Sequence, residues 1–174
     1  MRISAAEEYG LRCLLQLARV GVSEQMSIPE IADAEGISVP YASKLLATLR
    51  RAGLVVAVRG RKGGFCIARD ASDINILDVI TTLGGPLIDP DHCSKRTGQL
   101  DICVHGEHCS VHDIIGGLAG YVGKFLSSTS LQDVIDGRIP VVAPPAEILL
   151  PMLTGPADTE SKDAKESKIR ISSR

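Results

Sequence analysis

Apolar residues recur three and four apart through the first fifty positions, then give way to short strand-like runs. In SAAEEYGLRCLLQLARVG the apolar positions Leu11, Leu14, Leu15 and Ala18 follow helical spacing, and Ser4 with Glu7 forms a capping box. In such a box the hydroxyl accepts from the N3 amide and the carboxylate reaches back to the cap amide. A helix ending at Gly21 is predicted. Ser27 with Glu30, and Pro29 in the first turn, starts a second helix of about two turns that Gly36 stops. Ser38 begins a third, with Pro40 early, an apolar face of Tyr41, Leu45, Leu46 and Leu49, and Gly53 closing it. The runs LVVAV and FCIA then flank the glycine-rich basic turn RGRKGG, which reads as a β-hairpin.

A short helix, a glycine turn, a longer basic helix and a basic hairpin have the shape of a winged helix-turn-helix. Beyond the wing, residues 72–83 predict a short amphipathic helix broken by Gly84, Gly85 and Pro86. The window DPDHCSKRTGQLDICVHGEHC has no periodicity and is expected to be an irregular loop, a length that in compact domains usually carries function. Ser110 and Asp113 resemble a helix cap, followed by an apolar face of Ile114, Ile115, Leu118, Tyr121, Val122 and Phe125 reaching about Ser127. This helix contains Gly116, Gly117, Gly120 and Gly123, each costing about 1 kcal/mol relative to Ala. Close approach of a second helix compensates, either within the chain or, as favoured here, from the mate in a two-fold homodimer. SLQDVIDG predicts a further short helix, and from Pro140, where five of nine prolines lie, a flexible tail is expected.

The expected fold is therefore mainly α with a small β-hairpin wing: a winged helix-turn-helix plus a long dimerisation helix. Four parts follow: a DNA-binding domain over 1–83, a cysteine-rich loop over 84–110, a dimerisation region over 111–139, and a tail over 140–174.

Charge changes the picture only when resolved along the chain. The formal net charge of −2 argues against nucleic acid on average, but residues 38–69 hold seven basic and no acidic side chains, against 12 basic and 21 acidic elsewhere. That block coincides with the third helix and the hairpin, which a merely solvated surface has no reason to do. Ser38, Tyr41, Ser43 and Lys44 are placed where base edges in the major groove are reachable. Arg50, Arg51, Arg59, Arg61 and Lys62 are placed against phosphates of double-stranded DNA, with Arg59 a candidate for the minor groove. No stretch approaches the roughly 20 apolar residues that span a bilayer, and Glu7 and Glu8 interrupt any secretory signal, so a cytoplasmic location without membrane contact is expected. No phosphate loop, nucleophile elbow or recognisable acid–base pair suggests an enzyme.

Cysteine and histidine are equally uneven. Cys93, Cys103 and Cys109 share one 21-residue window with all four histidines, His92, His105, His108 and His112, while Cys13 and Cys66 lie among apolar residues and are expected in the core. Three thiolates and an imidazole suit zinc or an iron-sulfur cluster rather than hard ions, and spacing alone leaves both open.

MRIS, the helix ending LLATLRRAGLV, the wing VRGRKGGF, ARDASDINILDVI and the Cys loop leading into a long helix together resemble the bacterial winged-helix transcriptional regulators typified by the iron-sulfur regulator IscR, whose family includes the nitric-oxide-sensing repressor NsrR. The resemblance covers residues 1–135. It implies a homodimer that controls promoters through a 2Fe-2S or 4Fe-4S cluster. By position, Cys93, Cys103 and Cys109 match the family's cysteine ligands. Cys109 with His112 matches the Cys-x-x-His pair of one branch, and Glu8 falls where another branch supplies an aspartate. The first Cys interval holds nine residues where those branches have about five, and Glu replaces Asp, so the fourth ligand and cluster type stay open between His112 and Glu8. Glu8 has a second reading, an i,i+4 salt bridge to Arg12. The rival functions are the same DNA binder with zinc or a thiol switch, and a small redox or metal protein whose basic segment meets an acidic partner.

Overall fold

The computed structural model describes residues 3–60, 63–89, 91–105 and 109–139, which belong to one compact unit ending at Ile139. The segment from Pro140, Arg61 and Lys62 of the wing tip, and His108 lie outside the described residues.

The first helix, α1 (Ala5–Val20), is closed by the expected box: Ser4 Oγ accepts from the Glu7 amide at 3.2 Å and the Ser4 amide donates to Glu7 Oε2 at 2.7 Å. Its buried seam runs through Gly10, Cys13, Leu14 and Leu17, one step round from the predicted face, which leaves Leu11 and Leu15 half-buried at its edge. α2 (Ile28–Glu35) repeats the device with Ser27 and Glu30 and stops at Gly36, whose φ of 64° is the left-handed turn that favours glycine. α3 (Val39–Arg51) is capped by Ser38 and buries Ala42, Leu45, Leu46 and Leu49.

A hairpin follows, β1 (Val55–Val58) against β2 (Gly64–Ile67), antiparallel with Val55 opposite Ile67 and Val58 opposite Gly64. A bridge from Met26 to Phe65 ties this wing to the α1–α2 loop, with the Phe65 amide donating to the Met26 carbonyl at 2.8 Å. The close approach requires Gly64, because a Cβ there would run into the Met26 carbonyl.

The helix expected over 72–83 starts later. A 3₁₀ turn occupies Ala71–Asp73, and α4 (Ile76–Gly84) begins at Asn75, whose side chain accepts from the Asp78 amide at 2.9 Å. The start at Asn75 coincides with a short antiparallel bridge to Ser130, in which the Ile76 amide donates to the Thr129 carbonyl at 2.9 Å. The described part of the cysteine loop contains a 3₁₀ turn, Ser94–Arg96. α5 (Ser110–Ser127) then runs the predicted length, but its N-cap is Cys109, which makes no side-chain cap bond, and Ser110 is already helical. The expected Ser110–Asp113 cap is not formed.

After α5 the chain turns back. α6 (Leu131–Ile135) is capped by a Ser130–Asp133 box, and the Leu131 amide donates to the Ile74 carbonyl at 2.8 Å. Leu131 is fully buried in the same core as Leu14, Leu17, Leu46, Leu49 and Val79. α1 is the centre of that core, touching α2, α3, α4 and α6, whereas α5 leans on α4 and buries none of its own residues.

Candidate nucleic-acid interface and cysteine cleft

Two sites emerge, one at each end of the α3–α4–α5 series. At the first, α3 buries one stripe and leaves Val39, Lys44, Arg50 and Arg51 exposed outside it, with Ser43 partly so. The guanidinium of Arg51 donates to Thr48 Oγ1 at 3.2 Å, while the Lys44 ammonium and the Arg50 and Arg59 guanidinium groups have no partner among the described residues. Arg59, exposed, stands at the wing tip beside Gly60. Ser38 is committed to its cap, accepting from the Tyr41 amide at 3.4 Å, and Tyr41 is half-buried with its ring edge-on to Tyr9 at 6.1 Å.

Behind this head lies a polar network that sequence reasoning missed. Glu35, at the C-terminal end of α2, is almost wholly buried. It accepts from Arg12 Nε and from Gln16 Nε2, each at 2.6 Å. A carboxylate at a helix C-terminus is opposed by the helix dipole, and the two donors from α1 offset that. Arg12 also lies 5.0 Å from the Tyr9 ring centroid, so the guanidinium joins α2 to the aromatic pair that touches α3. An i,i+4 pairing of Glu8 with Arg12 is one of the two expectations for Glu8. That contact exists at 3.5 Å between two exposed side chains, but Glu35 is the closer partner. The one available signal was an acidic residue at the closing end of a short helix.

The second site is the cysteine loop. The thiols of Cys93, Cys103 and Cys109, with His112 from the first turn of α5, line one cleft of about 230 Å³. Cys93 Sγ lies 3.3 Å from His112 Nδ1, 19 residues along the chain. His92, His105, Arg96, Val111 and Ile115 complete the lining, and Arg96 Nη1 lies 2.7 Å from His92 Nδ1. Glu8 is not part of it. Among the described residues no three Cys, His, Asp or Glu side chains converge closely enough to chelate one ion. The donor set fits a soft metal centre by chemistry, three sulfurs and an imidazole facing a common space. Cys13 and Cys66 are in the core as expected, and burial pushes the Cys13 thiol up to about 11.

A helix-turn-helix with a basic reading helix and a basic hairpin beside it defines a winged-helix DNA-binding transcriptional regulator. Residues 3–137 match the Rrf2 family, described as iron-dependent transcriptional regulators, and the chain belongs to that family. It is 30% identical to the transcriptional regulator IscR of Photorhabdus laumondii over 138 residues, 79% of this chain and 81% of that protein. Among solved structures it resembles IscR of T. potens (28% identity, TM-score 0.63, 79% of this chain and 88% of the other). It also resembles CymR, the global cysteine regulator of B. subtilis (26% identity, TM-score 0.59, 77% and 95%). No helix among the described residues is long and apolar enough to cross a membrane.

Proposed function

We propose that the chain is a cytoplasmic iron-sulfur-dependent repressor that binds a palindromic operator as a homodimer and responds to redox state, nitric oxide or iron supply. The observation that carries this reading is the shared cleft of Cys93, Cys103, Cys109 and His112 at the very start of α5. These four would hold the cluster, of the 2Fe-2S or 4Fe-4S type. His112 is favoured over Glu8 as fourth ligand because it already faces Cys93, whereas Glu8 is engaged with Arg12. When bound, the cluster supplies a centre that reacts with oxidants and nitric oxide.

The homodimer rests on α5. Ile114, Leu118 and Tyr121 are 73%, 59% and 81% exposed, and a Cβ added at Gly116, Gly117 or Gly120 would meet nothing within 4 Å. Packing among the described residues therefore does not compensate these glycines, and a second α5 would. Cys109 and His112 stand at the head of this helix, α5 leans on α4, and α4 touches α3. A shift at the cleft is thus handed to the reading helix through packed elements. A coupling of about 1–3 kcal/mol changes operator affinity about 5- to 150-fold. In the complex, Ser43 and Lys44 reach base edges with Ser38 and the free edge of Tyr41 beside them. Arg50, Arg51, Arg59, Arg61 and Lys62 meet phosphates.

Anaerobic purification tests the cluster: visible absorption with iron and acid-labile sulfide supports it, and a colourless, zinc-containing protein replaces it. Arg59→Ala tests the DNA face and is expected to lower the slope of log K against log salt by about 1. A second reading, a thiol switch in the same DNA binder, is favoured by the 3.3 Å approach of Cys93 to His112 and by the likeness to CymR. Reversible oxidation of these cysteines that alters operator affinity in iron-free protein selects it.

A further inference from the structure

The base-reading chemistry of α3 is narrow. The helix VPYASKLLATLRR contains no Asp, Glu, Asn or Gln, so it offers no carboxylate to accept from cytosine N4 and no amide for the two-point pairing with adenine. Its leading residue, Val39, is 43% exposed. The buried face is filled by Ala42, Leu45, Leu46 and Leu49, which leaves the Val39 isopropyl group no place in the core. Five residues on, about 7.5 Å along the axis, the Lys44 ammonium, without a partner among the described residues, projects from the same N-terminal half.

We infer that α3 reads a thymine with Val39 and a guanine with Lys44, at different base pairs of each half-site, and offers neither the two-point amide pairing that selects adenine nor the carboxylate that selects cytosine. The thymine C5-methyl is the one apolar group that the major groove displays, so an exposed branched aliphatic at the leading end of a reading helix has one matching base. Guanine N7 and O6 are the acceptor pair that a lysine ammonium matches. The phosphate contacts carry no such information and set affinity and register. This inference rests on the DNA-binding reading and specifies what that face recognises.

The test begins with the full chain, purified anaerobically, selecting duplexes from a random pool. Wild-type protein is then bound to the selected duplex with single thymines replaced by deoxyuridine, which removes only the methyl, or single guanines replaced by 7-deazaguanine, which removes N7. One thymine per half-site is expected to lose about fourfold in affinity as deoxyuridine, the worth of one buried carbon. Val39→Ala protein should be indifferent to that replacement. One guanine is expected to lose fivefold or more as 7-deazaguanine for wild type and nothing for Lys44→Ala, and Lys44→Gln should shift the selected base from guanine to adenine. Val39 and Lys44 are exposed, and unfolding curves matching wild type would confirm that the variants fold. A selected consensus in which every deoxyuridine is tolerated, or in which the variants keep wild-type sensitivities, overturns the inference while leaving DNA binding intact. Failure to enrich any duplex overturns the DNA-binding reading itself.

Discussion

Cys93 Sγ stands 3.3 Å from His112 Nδ1, joining the start of the cysteine loop to the first turn of α5 across 19 residues. The contact closes the loop onto the helix, so that Cys103 and Cys109 line the same cleft. Cys93→Ala or His112→Ala removes that closure without touching the core. The expected outcome is unchanged thermal unfolding of the metal-free protein but faster hydrogen exchange at the beginning of α5, read by mass spectrometry.

The five cysteines should divide into two classes. In metal-free protein at pH 8, iodoacetamide is expected to label Cys93, Cys103 and Cys109 and to spare Cys13 and Cys66, which are buried. Desolvation holds the Cys13 thiol neutral up to about pH 11, against about 8.5 for an unfolded cysteine. The raised value means that its contribution to stability is full below about pH 8.5 and is lost as pH rises toward 11. Cys13→Ala should flatten that alkaline decline in denaturant midpoints.

Glu35 has two donors, Arg12 and Gln16, and little water. Arg12→Ala should lower Tm by leaving the carboxylate under-satisfied, and Arg12→Ala combined with Glu35→Leu should lower it less than Arg12→Ala alone. A double-mutant cycle on Tm measures this. The same Arg12→Ala change releases Tyr9, so altered operator affinity beyond the stability loss is also expected.

Gly64 lets the hairpin meet the α1–α2 loop. Gly64→Ala should cost about 1–3 kcal/mol in denaturant unfolding, because backbone rather than a flexible side chain stands in the way.

Tyr121 is the most exposed residue of the apolar face of α5. Tyr121→Glu should leave helical content unchanged and move the protein from dimer to monomer in sedimentation, with loss of two-half-site operator binding.

Asp133 accepts from the Ser130 hydroxyl at 2.6 Å, and that bond, then the Ser130 amide and Arg138, holds its carboxyl below the usual range. A depressed value contributes stability above about pH 4 that is lost as the carboxyl is protonated. The Tm gap between wild type and Asp133→Ala should therefore be widest near neutrality and close on acidification.

Helix starts written in local chemistry could be read directly. Ser4 with Glu7 and Ser27 with Glu30 satisfy one another within four residues, whatever surrounds them. Where a start depends on distant partners the reading slipped: Asn75 caps α4 while its backbone bridges Ser130, and Cys109 takes the cap position that Ser110 was expected to fill. The donor types of the cysteine site were equally plain, since thiols and imidazoles crowd one window. Their meeting was not, because a loop without periodicity carries no spacing that says which side chains face inward.

Local rules thus sufficed for the winged helix-turn-helix, the basic face of α3 and the crowding of thiols and imidazoles into one window, since capping, amphipathic period and charge clustering act over a turn or two. Folding in three dimensions decided three further points. Glu35 became the main partner of Arg12, Leu131 returned from beyond α5 to the central core, and Gly116, Gly117 and Gly120 of α5 were left facing open space among the described residues. Each depends on which surfaces are excluded from water once α1 has gathered its neighbours, and burial is a property of the assembled chain that no short stretch of it contains.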